Sequence, residues 1–445
     1  MLKQLSDIFE LPDLRKRVLF TLMCLAIYRV GAAIPIPGIN GEALRAIFSA
    51  QASTLLGILN IFSGGALGQF SIFSMGVMPY INASIIISLL QGAHVIPYLD
   101  RLYKEGELGR RKLNQLTRYL TLFLAAFQSF GLTIMITKMP TPGGMPVVSD
   151  PNWFFYVVTV LTLTTGTVFI MWLGEQMTET GIGNGTSLII FAGIVKALPH
   201  GVVAVIQLVQ AEEIGLIKAV LVAAFLVAVI MAVVWVETAQ RKIPVQYAKR
   251  VVGRKMFGGA QSFLPLKVDQ SGVIAVIFAV SLLAVPITIA QFMPDNPYAQ
   301  KIVGFMNRGT WHYQVAYSAL IVFFCYFYNS VSINPVDLAE NMKKSGGFVP
   351  GIRPGEPTAK YIEWVLERIT LGGAAFVVAI AVLPDILRRA YNMPFYFGGT
   401  ALLIVVGVAL DTMGQLEAHL IMRHYEGFLK KGRIRQRWFN VGAQS

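Results

Sequence analysis

The stretch ILNIFSGGALGQFSIFSMG, which runs from Ile58 to Gly76, contains no charged residue and is apolar over most of its length. It also contains several glycines and serines, and each glycine in a helix interior costs about 1 kcal/mol relative to alanine. The segment is therefore a poor spanning helix. It lies directly before Gly76 to Val95, an apolar run long enough to cross a membrane. The rest of the chain decides what such a breakable segment does there.

The rest of the chain is also strongly apolar. Of its 445 residues, 55% are hydrophobic and 14% are charged, and the mean hydropathy is +0.60. A soluble domain has about a quarter charged residues, so the composition predicts a polytopic membrane protein. The ten predicted spans are Val18 to Ile39, Gly76 to Val95, Tyr119 to Thr137, Trp153 to Leu173, Thr186 to Val209, Ile214 to Val236, Gly272 to Phe292, Tyr313 to Ile333, Ile369 to Leu387 and Phe395 to Ala418.

Most of the 37 Lys and Arg residues lie on one side of these predicted spans. They are concentrated in the amino-terminal segment, in the loops Ile96 to Arg118, Glu237 to Ser271 and Asn334 to Arg368, and in the tail after Ala418. Cytoplasmic loops carry an excess of basic residues. Both termini of this multi-pass chain are therefore predicted to lie in the cytoplasm.

Two of the predicted cytoplasmic loops, about 237–271 and about 334–368, are too long and too rich in Gly and Pro to be tight connectors. In the first, Ile243, Val245 and Tyr247 alternate with other residues, which predicts a strand or hairpin that projects from the membrane. We expect the basic surface to dock an acidic partner or ribosomal RNA, with anionic lipid as the alternative ligand.

The sequence shows no motif that is typical of catalysis or metal binding. The five histidines have no metal-ligand spacing, and no phosphate-binding loop occurs, so we expect no enzymatic activity, no cofactor and no metal site. An ion-coupled secondary transporter of a small solute is the alternative function, because such carriers also have many spans. They normally keep carboxylates near the membrane midplane, whereas Glu175, Glu179, Glu237, Asp385 and Asp411 lie near predicted span ends.

A few polar groups lie inside the predicted spans. Arg29 is the charged one in the first span, and it is near enough to the span end to snorkel to the interface. Ser84, Ser129 and Thr164 are typical of helix-packing contacts. The alternative for such residues is a seam of weak polar contacts that can part.

Seven stretches resemble the SecY family, the channel subunits of the bacterial protein translocase. They follow the family's order along nearly the whole chain, and together they are far more specific than any one alone. The stretches are RVGAAIPIPGI (Arg29 to Ile39), NIFSGGALGQFSIFSMGVMPYINASIII (Asn60 to Ile87), KEGELGRRKLNQLTRY (Lys104 to Tyr119), MWLGEQMTETGIGNGTSLIIFAGIV (Met171 to Val195), QRKIPVQYAKRVVGRK (Gln240 to Lys255), KKSGGFVPGIRPGEPTAKYIE (Lys343 to Glu363) and FYFGGTALLIVVGVALDT (Phe395 to Thr412).

The resemblance implies an all-α integral membrane protein, with ten transmembrane helices in two inverted five-helix halves around a central pore. The halves would be residues 1–209 and 210–445. The implied function is a channel that passes unfolded secretory proteins across the bacterial cytoplasmic (inner) membrane and releases membrane proteins laterally into it. Implied partners are SecE and SecG in a heterotrimer, the SecA motor ATPase, the ribosome, unfolded preproteins and their signal peptides, and membrane lipid.

The resemblance also gives the opening segment a role. In the family, the segment after the first span folds back into the pore as a short plug helix, so Ile58 to Gly76 is the predicted plug segment; a static re-entrant loop is the alternative. Apolar side chains suit a constriction in which a charge would be costly, and glycines ease displacement. The predicted plug residues are Leu59, Ile61, Phe62, Gly64, Gly65, Leu67 and Phe70.

The family's pore carries a ring of branched aliphatic side chains, which excludes water without hydrogen-bonding to the cargo. The resemblance assigns this ring to Ile81, Ile85, Ile190, Ile277 and Ile404. Taken singly, each of these isoleucines is as well explained by packing or by lipid contact. Thr186 stands where many members have isoleucine, so we expect a slightly wetter ring.

The resemblance places a lateral gate for signal peptides between the second and seventh spans. The predicted gate residues are Asn82, Ser84, Ser88 and Pro286. Pro286 is expected to bend the seventh span near its outer end.

The two basic loops correspond to the family's docking sites for the ribosome and SecA. The predicted docking residues are Lys249, Arg250, Arg254, Lys255 and Arg353. The planar fork of an arginine suits phosphate or carboxylate partners. A third hypothesis is a receptor or scaffold that docks ribosomes without conducting anything, but it leaves the plug segment unexplained.

Overall fold

Helices make up most of the chain in the computed structural model. The described residues are 12–50, 57, 60, 63–92, 96–138, 146–148, 151–211, 215–247, 250–252, 255–257, 261–291, 296–305, 310–391 and 399–441. The helices are α1 (Pro12–Ala33), α2 (Gly41–Ala50), α3 (Met78–Gly92), α4 (Pro97–Lys104), α5 (Glu107–Lys138), α6 (Trp153–Thr180), α7 (Gly185–Gln210), α8 (Leu216–Thr238), α9 (Gly272–Gln291), α10 (Pro297–Phe305), α11 (Trp311–Ser332), α12 (Pro335–Lys344), α13 (Glu356–Tyr391) and α14 (Gly399–Val441).

A helix lies at each of the ten predicted spans, namely α1, α3, α5 to α9, α11, α13 and α14. Among the described residues, six stretches are long and apolar enough to cross a membrane: Glu107–Lys138, Trp153–Thr180, Val220–Thr238, Trp311–Lys344, Glu356–Pro384 and Gly399–Met422. Two shorter helical stretches, Gly185–Pro199 and Gly272–Ile287, are also apolar. These helices support the prediction of a multi-pass membrane protein.

Several predicted span boundaries were wrong. Helix α1 ends at Ala33 rather than Ile39, because Pro35 and Pro37 disfavour helix in the residues around them. Helix α6 continues beyond Leu173 to Thr180. Helix α13 begins at Glu356, so the predicted loop 334–368 contains α12, a short strand and the first turns of α13.

The strand predicted around Ile243 to Tyr247 is confirmed. The strands are β1 (Gln240–Tyr247), β2 (Arg250–Val252), β3 (Lys255–Phe257), β4 (Gln261–Lys267) and β5 (Gly347–Phe348). One antiparallel sheet has the order β4-β1-β5, and β2 pairs with β3 in a second. The alternating burial of Ile243 and Val245 follows the period of two. Ile243 belongs to a sheet cluster of buried residues that consists of Ile243, Leu266, Val349, Ile362, Val365 and Leu366.

The two largest apolar clusters among the described residues lie within the helical part. The larger, here called the ring cluster, contains buried residues of α1, α3, α6 to α9, α11, α13 and α14. The smaller, here called the anchor cluster, consists of Ile36, Leu44, Ile47, Phe48, Leu67, Phe70, Leu132, Ile136, Val147, Val148 and Leu163. Helix α9 contacts α3 and α5, and α14 contacts α7. The amino-terminal and carboxy-terminal helices thus meet around the ring cluster.

Candidate functional site

The five isoleucines of the predicted ring come together in the structure. They lie on α3, α7, α9 and α14, the helices through which the two groups of helices meet. All five are members of the ring cluster. Their exposed fractions are 6% for Ile81, 3% for Ile85, 1% for Ile190, 7% for Ile277 and 0% for Ile404. Side chains far apart in sequence therefore belong to one buried apolar cluster, and the five isoleucines are called the ring layer below.

A cavity of about 450 Å³ borders this layer. Its apolar wall includes Ile81, Ile190 and Ile277 from the ring, together with Ile274 and Phe278 of α9. Its polar wall consists of Tyr80, Ser84, Ser88, Asn114, Arg118, Glu175, Thr178, Glu179, Asn184, Thr186, Ser187 and Tyr328. A cavity lined mostly by polar residues thus borders three of the five predicted ring residues.

An ion pair lies in the polar wall of this cavity. The Nη2 of Arg118 on α5 lies 2.8 Å from Oε2 of Glu175 on α6, and Arg118 Nε donates to Glu175 Oε1 at 2.9 Å. Two parallel hydrogen bonds fix the geometry more firmly than one. Sequence reasoning identified Glu175 only as a carboxylate near a span end. Opposite charges at the ends of adjacent predicted spans were the signal for this pair.

The predicted gate residues are placed in three different ways. Ser84 and Ser88 of α3 line the cavity together with Ile274 and Phe278 of α9. Asn82 is only 9% exposed and is not among the cavity residues. Pro286 lies inside α9, five residues before its end at Gln291.

The seam between α3 and α9 holds few polar contacts. Ser281 Oγ donates to Met78 Sδ at 3.9 Å across it, and a thioether is a weak acceptor. Most of the remaining seam is apolar, with Ile277 and Phe278 on the α9 side. Such a seam separates without breaking a strong hydrogen-bond network.

The start of α7 is held by a local cap. The Asn184 side chain accepts hydrogen bonds from the backbone N–H groups of Thr186 and Ser187 at 3.1 and 3.3 Å. This explains why the GIGNG stretch ends one helix and begins another. Thr186 thereby lies in the cavity wall, where its hydroxyl adds polarity close to the ring.

From Ser63 onward, the predicted plug segment consists mainly of turns, whereas Asn60 before it is helical. Gly64 and Gly65 have φ values of +67° and +82°, which glycine adopts without strain. A short 3₁₀ turn covers Leu67–Gln69, and Phe70 follows with a φ of +45°. The predicted plug residues Leu59, Ile61 and Phe62 lie outside the described residues.

Apolar contacts place the plug segment beside two clusters. Leu67 and Phe70 pack into the anchor cluster, whereas Phe73 and Val77 pack into the ring cluster. The packing of Leu67 and Phe70 against the anchor cluster therefore holds the segment close to the ring cluster.

Backbone hydrogen bonds also hold the segment. Ile36 N donates to Phe70 O at 3.0 Å, and Ile72 N donates to Ile34 O at 3.1 Å.

The snorkelling interpretation of Arg29 was wrong, because its Nη1 donates to Gly64 O at 3.3 Å and its Nη2 donates to Ala192 O. Backbone carbonyls are strong hydrogen-bond acceptors, and a low-dielectric environment makes it costly to leave them unpaired.

Three of the five predicted docking residues lie within the described part of the chain. Arg353 is exposed in the turn before α13, and Thr358 Oγ1 donates to its carbonyl oxygen at 2.8 Å. Gly351 and Gly355, with φ values of +82° and +108°, shape this turn. Arg250 begins β2 and Lys255 begins β3. Lys249 and Arg254 lie outside the described residues.

A buried carboxylate lies where β4 leads into α9. Asp269 is 5% exposed, and its Oδ1 accepts from Gly272 N at 2.7 Å and from Ser271 Oγ at 3.0 Å. Burial raises the pKa of this carboxyl, and the hydrogen bonds oppose part of that rise. Among the described residues, His, Cys, Asp and Glu form no group of three that could hold a metal ion.

The comparison with a family model and the comparison with known relatives point to the same family. The SecY family model matches residues 71–413. The chain is 46% identical over 432 residues to the protein translocase subunit SecY of Aquifex aeolicus (strain VF5), covering 97% of this chain and 100% of the relative. It is 46% identical over 428 residues to that of Escherichia coli (strain K12), with 96% of each chain covered.

Solved structures of low sequence identity share the fold. "The structure of a protein conducting channel" has a TM-score of 0.66 at 17% identity, and the match covers 90% of this chain and 91% of the other. "Sec61 in the Canine ribosome-channel complex from the endoplasmic reticulum" has a TM-score of 0.59 at 17% identity, with the same coverage. The predicted all-helical membrane architecture is confirmed.

Proposed function

The chain belongs to the SecY family, and from that premise we propose which of its parts form the pore, the gate, the plug and the docking surface. Its function is that of the central channel subunit of the Sec translocon, through which unfolded secretory proteins cross and from which membrane proteins pass laterally into the lipid. The family match gives no support to the alternative of an ion-coupled transporter.

The pore constriction is the layer of Ile81, Ile85, Ile190, Ile277 and Ile404. One observation carries this assignment: residues from four helices converge in a buried apolar cluster that borders a polar cavity. Branched aliphatic side chains offer no hydrogen bond to a passing chain and can dewet when it leaves. The layer can therefore seal against ions and still accept any sequence.

The lateral gate is the seam between α3 and α9. The weak contact between Ser281 and Met78 supports this, as do Ser84 and Ser88 in the cavity wall facing α9. An apolar signal peptide that enters the cavity meets serines on one side and Ile274 and Phe278 on the other. Separation of the two helices would then give it a route into lipid.

The plug is the segment Ile58 to Gly76. Its placement between the ring cluster and the anchor cluster supports this role. The glycines at positions 64 and 65 allow the chain to turn back sharply. Displacement of the segment would break hydrogen bonds between its backbone and residues near the end of α1 but no ion pair among the described residues.

The cytoplasmic docking surface consists of the sheet region and the turn that bears Arg353. Its exposed arginine and the basic composition of the 237–271 loop support binding to the ribosome and SecA. SecE and SecG complete the heterotrimer, and preproteins, signal peptides and lipid meet its pore and gate. ATP hydrolysis or chain synthesis by these partners supplies the energy, and this chain carries no catalytic residue or cofactor of its own.

The bacterial inner membrane is the location, with both termini in the cytoplasm. The distribution of Lys and Arg supports this orientation. The two inverted halves are residues 1–209 and 210–445, and the contacts of α9 with α3 and of α14 with α7 suit a clamp of one half against the other.

Locking the seam tests the gate. A Met78→Cys and Ser281→Cys pair, with Cys24 and Cys325 replaced by alanine, brings two thiols to opposite sides of the seam, whose native Oγ and Sδ atoms are 3.9 Å apart. We expect oxidation to stop transport of a signal-bearing preprotein in vesicles with SecA and ATP, and reduction to restore it. Each single-cysteine variant is the control. Transport at the normal rate by the oxidised pair would exclude this seam as the gate.

A further inference from the structure

The turn at Ser63–Gly65 is held by groups outside the plug segment. Its carbonyl oxygens, rather than its side chains, are the acceptors for two neighbouring residues of α1, Tyr28 and Arg29. Backbone acceptors are present whatever the side chains of the segment are. The contacts therefore depend on the position of the turn and not on the identity of its side chains.

Arg29 joins three elements through one guanidinium group. Its Nη1 donates to Gly64 O at 3.3 Å, and its Nη2 donates to Ala192 O of α7. A planar fork with several donors can bridge two separate carbonyls, which the compact ammonium of a lysine does less well. If the plug segment moves away, the Ala192 bond still orients the guanidinium for the return of Gly64.

Tyr28 supplies a second bond to the same turn. It is fully buried at 0% exposure, and its hydroxyl donates to Ser63 O at 2.9 Å. Its ring stacks on Phe73 of the plug segment with a centroid distance of 6.1 Å. The hydroxyl and the ring thus contact both ends of the described plug segment.

The turn also fits closely against α7. A Cβ added to Gly64 would lie 3.0 Å from the Cα of Gly193, and one added to Gly65 would lie 3.6 Å from Nζ of Lys196. The turn therefore rests on the α7 backbone at the point where Arg29 reaches Ala192. Two cations, Arg29 and Lys196, lie beside the carbonyl-rich turn.

We propose that Arg29 and Tyr28 form a carbonyl latch that holds the plug segment in the closed channel by its backbone at Ser63 and Gly64. The proposal rests on the proposed plug function. The latch makes the two residues positioning residues, because they act on the cargo pathway only through the plug. Its strength comes from one charge-assisted hydrogen bond of the partly buried Arg29 and one neutral hydrogen bond of the fully buried Tyr28.

Three variants separate the latch from general packing. Tyr28→Phe removes only the hydroxyl and keeps the ring on Phe73. Arg29→Lys keeps the charge but loses the fork, and Arg29→Gln loses both. Arg17→Gln is the matched control, because Arg17 is on the same helix and its Nη1 also donates to a backbone carbonyl, that of Gly181, at 3.4 Å.

The measurement is resting ion efflux from vesicles that contain the purified complex and no preprotein. Loss of one charge-assisted hydrogen bond changes an equilibrium about tenfold or more, so we expect Arg29→Gln to raise efflux by about that factor. Arg29→Lys and Tyr28→Phe should raise it less, and Arg17→Gln should leave it unchanged. Transport of a normal preprotein should stay near the wild-type rate in all four, while a preprotein with a weakened signal should gain transport in the latch variants.

A variant that lacks residues 60–68 distinguishes failure of the latch from failure of the plug. If that deletion raises efflux while Arg29→Gln and Tyr28→Phe do not, the latch is overturned and the plug stands. If the deletion and the latch variants all leave efflux unchanged, the plug function itself fails. Equal efflux in Arg29→Gln and Arg17→Gln would also overturn the latch, because it would mean a general loosening of α1.

Discussion

Each ring isoleucine is chemically unremarkable, and its role depends on where the fold places it. Ile277 and Ile289 lie on the same helix, α9, yet Ile277 is 7% exposed and Ile289 is 58% exposed. Ile277 faces the ring cluster and the cavity. Ile289 presents its side chain outward, where lipid would surround it. The pair therefore offers a matched test of the ring.

Truncation at these two positions should have different effects. Ile277→Ala removes three carbons, or about 2 kcal/mol of apolar contact at about 0.8 kcal/mol per methylene, so the closed layer becomes leaky. We expect resting ion conductance in planar bilayers to rise by about tenfold or more. Ile289→Ala should leave it at the wild-type level. Equal conductance for the two variants would mean that Ile277 does not seal the pore.

Asp269 carries a pH dependence of stability. Its folded-state pKa is raised above the unfolded value of about 3.9, so its contribution to stability is greatest below that value and is lost as pH rises through the folded pKa. Asp269→Asn keeps the acceptor for Gly272 N and removes the buried charge. We expect the variant to have a higher apparent Tm in detergent at neutral pH, with the difference from wild type shrinking toward about pH 4.

Asp269→Ala is the control for this prediction. It removes the acceptor that caps the start of α9, which costs about 1 kcal/mol, so its apparent Tm should be lower than that of Asp269→Asn at every pH. A difference between wild type and Asp269→Asn that does not change with pH would show that the buried charge is not the cause.

At the scale of elements, the plug segment depends on close approach to α6. A Cβ added to Gly166 would lie 2.2 Å from the carbonyl oxygen of Ile72, which is a backbone atom and cannot rotate away. Gly372 on α13 is exposed, and a Cβ there would have nothing within 4 Å. Gly166 is thus required for packing, whereas Gly372 is not.

Alanine at these two glycines should act in opposite directions. Gly166→Ala should lower the apparent Tm and raise resting ion efflux, because overpacking costs about 1–3 kcal/mol and pushes the plug segment outward. Gly372→Ala should be neutral or slightly stabilising, since alanine favours a helix by about 1 kcal/mol over glycine. A Gly166→Ala protein with unchanged Tm and efflux would contradict the contact between α6 and the plug segment.

The docking surface makes a prediction about charge. Arg353→Glu reverses an exposed arginine in a fixed turn, and we expect the affinity for SecA or for ribosomes to fall by about tenfold. The loss should be smaller at high salt because exposed charges are screened. Lys218→Glu, an exposed cation at the start of α8 on the predicted opposite side, is the control. Equal losses for both variants would point to net charge instead of a docking site.

The sequence predicted the elements better than their contacts. Apolar runs of about 20 residues predicted the ten spans, and a helix lies at each of them. The alternation at Ile243 and Val245 predicted β1. The end of α1 was missed, because apolarity continues past Ala33 although Pro35 and Pro37 stop the helix.

Contacts between distant residues could not be read from composition. The Arg118–Glu175 pair and the bonds from Arg29 to Gly64 and Ala192 depend on how helices pack. A lone arginine in a span is equally compatible with snorkelling and with a backbone acceptor. The five ring isoleucines were found only through the family resemblance, because isolated isoleucines are common in any apolar helix.

At the scale of the whole molecule, the proposed function requires the cavity, the ring, the seam and the plug segment to lie along one path. A polar cavity ends at an apolar ring, a weak seam between α3 and α9 borders both, and the plug segment packs beside the ring. Basic residues concentrate in the loops at the predicted cytoplasmic side. A secretory chain delivered to the predicted cytoplasmic side would meet the cavity first and then the ring. The seam would give that chain a lateral exit.

The most direct measurement is photocrosslinking from the ring to a secretory chain arrested midway in vesicles that contain the complex, SecA and ATP. A photoreactive residue at Ile277 should give adducts with the arrested chain, whereas one at Val227, which is 55% exposed on α8, should give none. Adducts at Arg353 without adducts at Ile277 would contradict conduction through this ring, since the chain would then dock on this subunit and cross elsewhere.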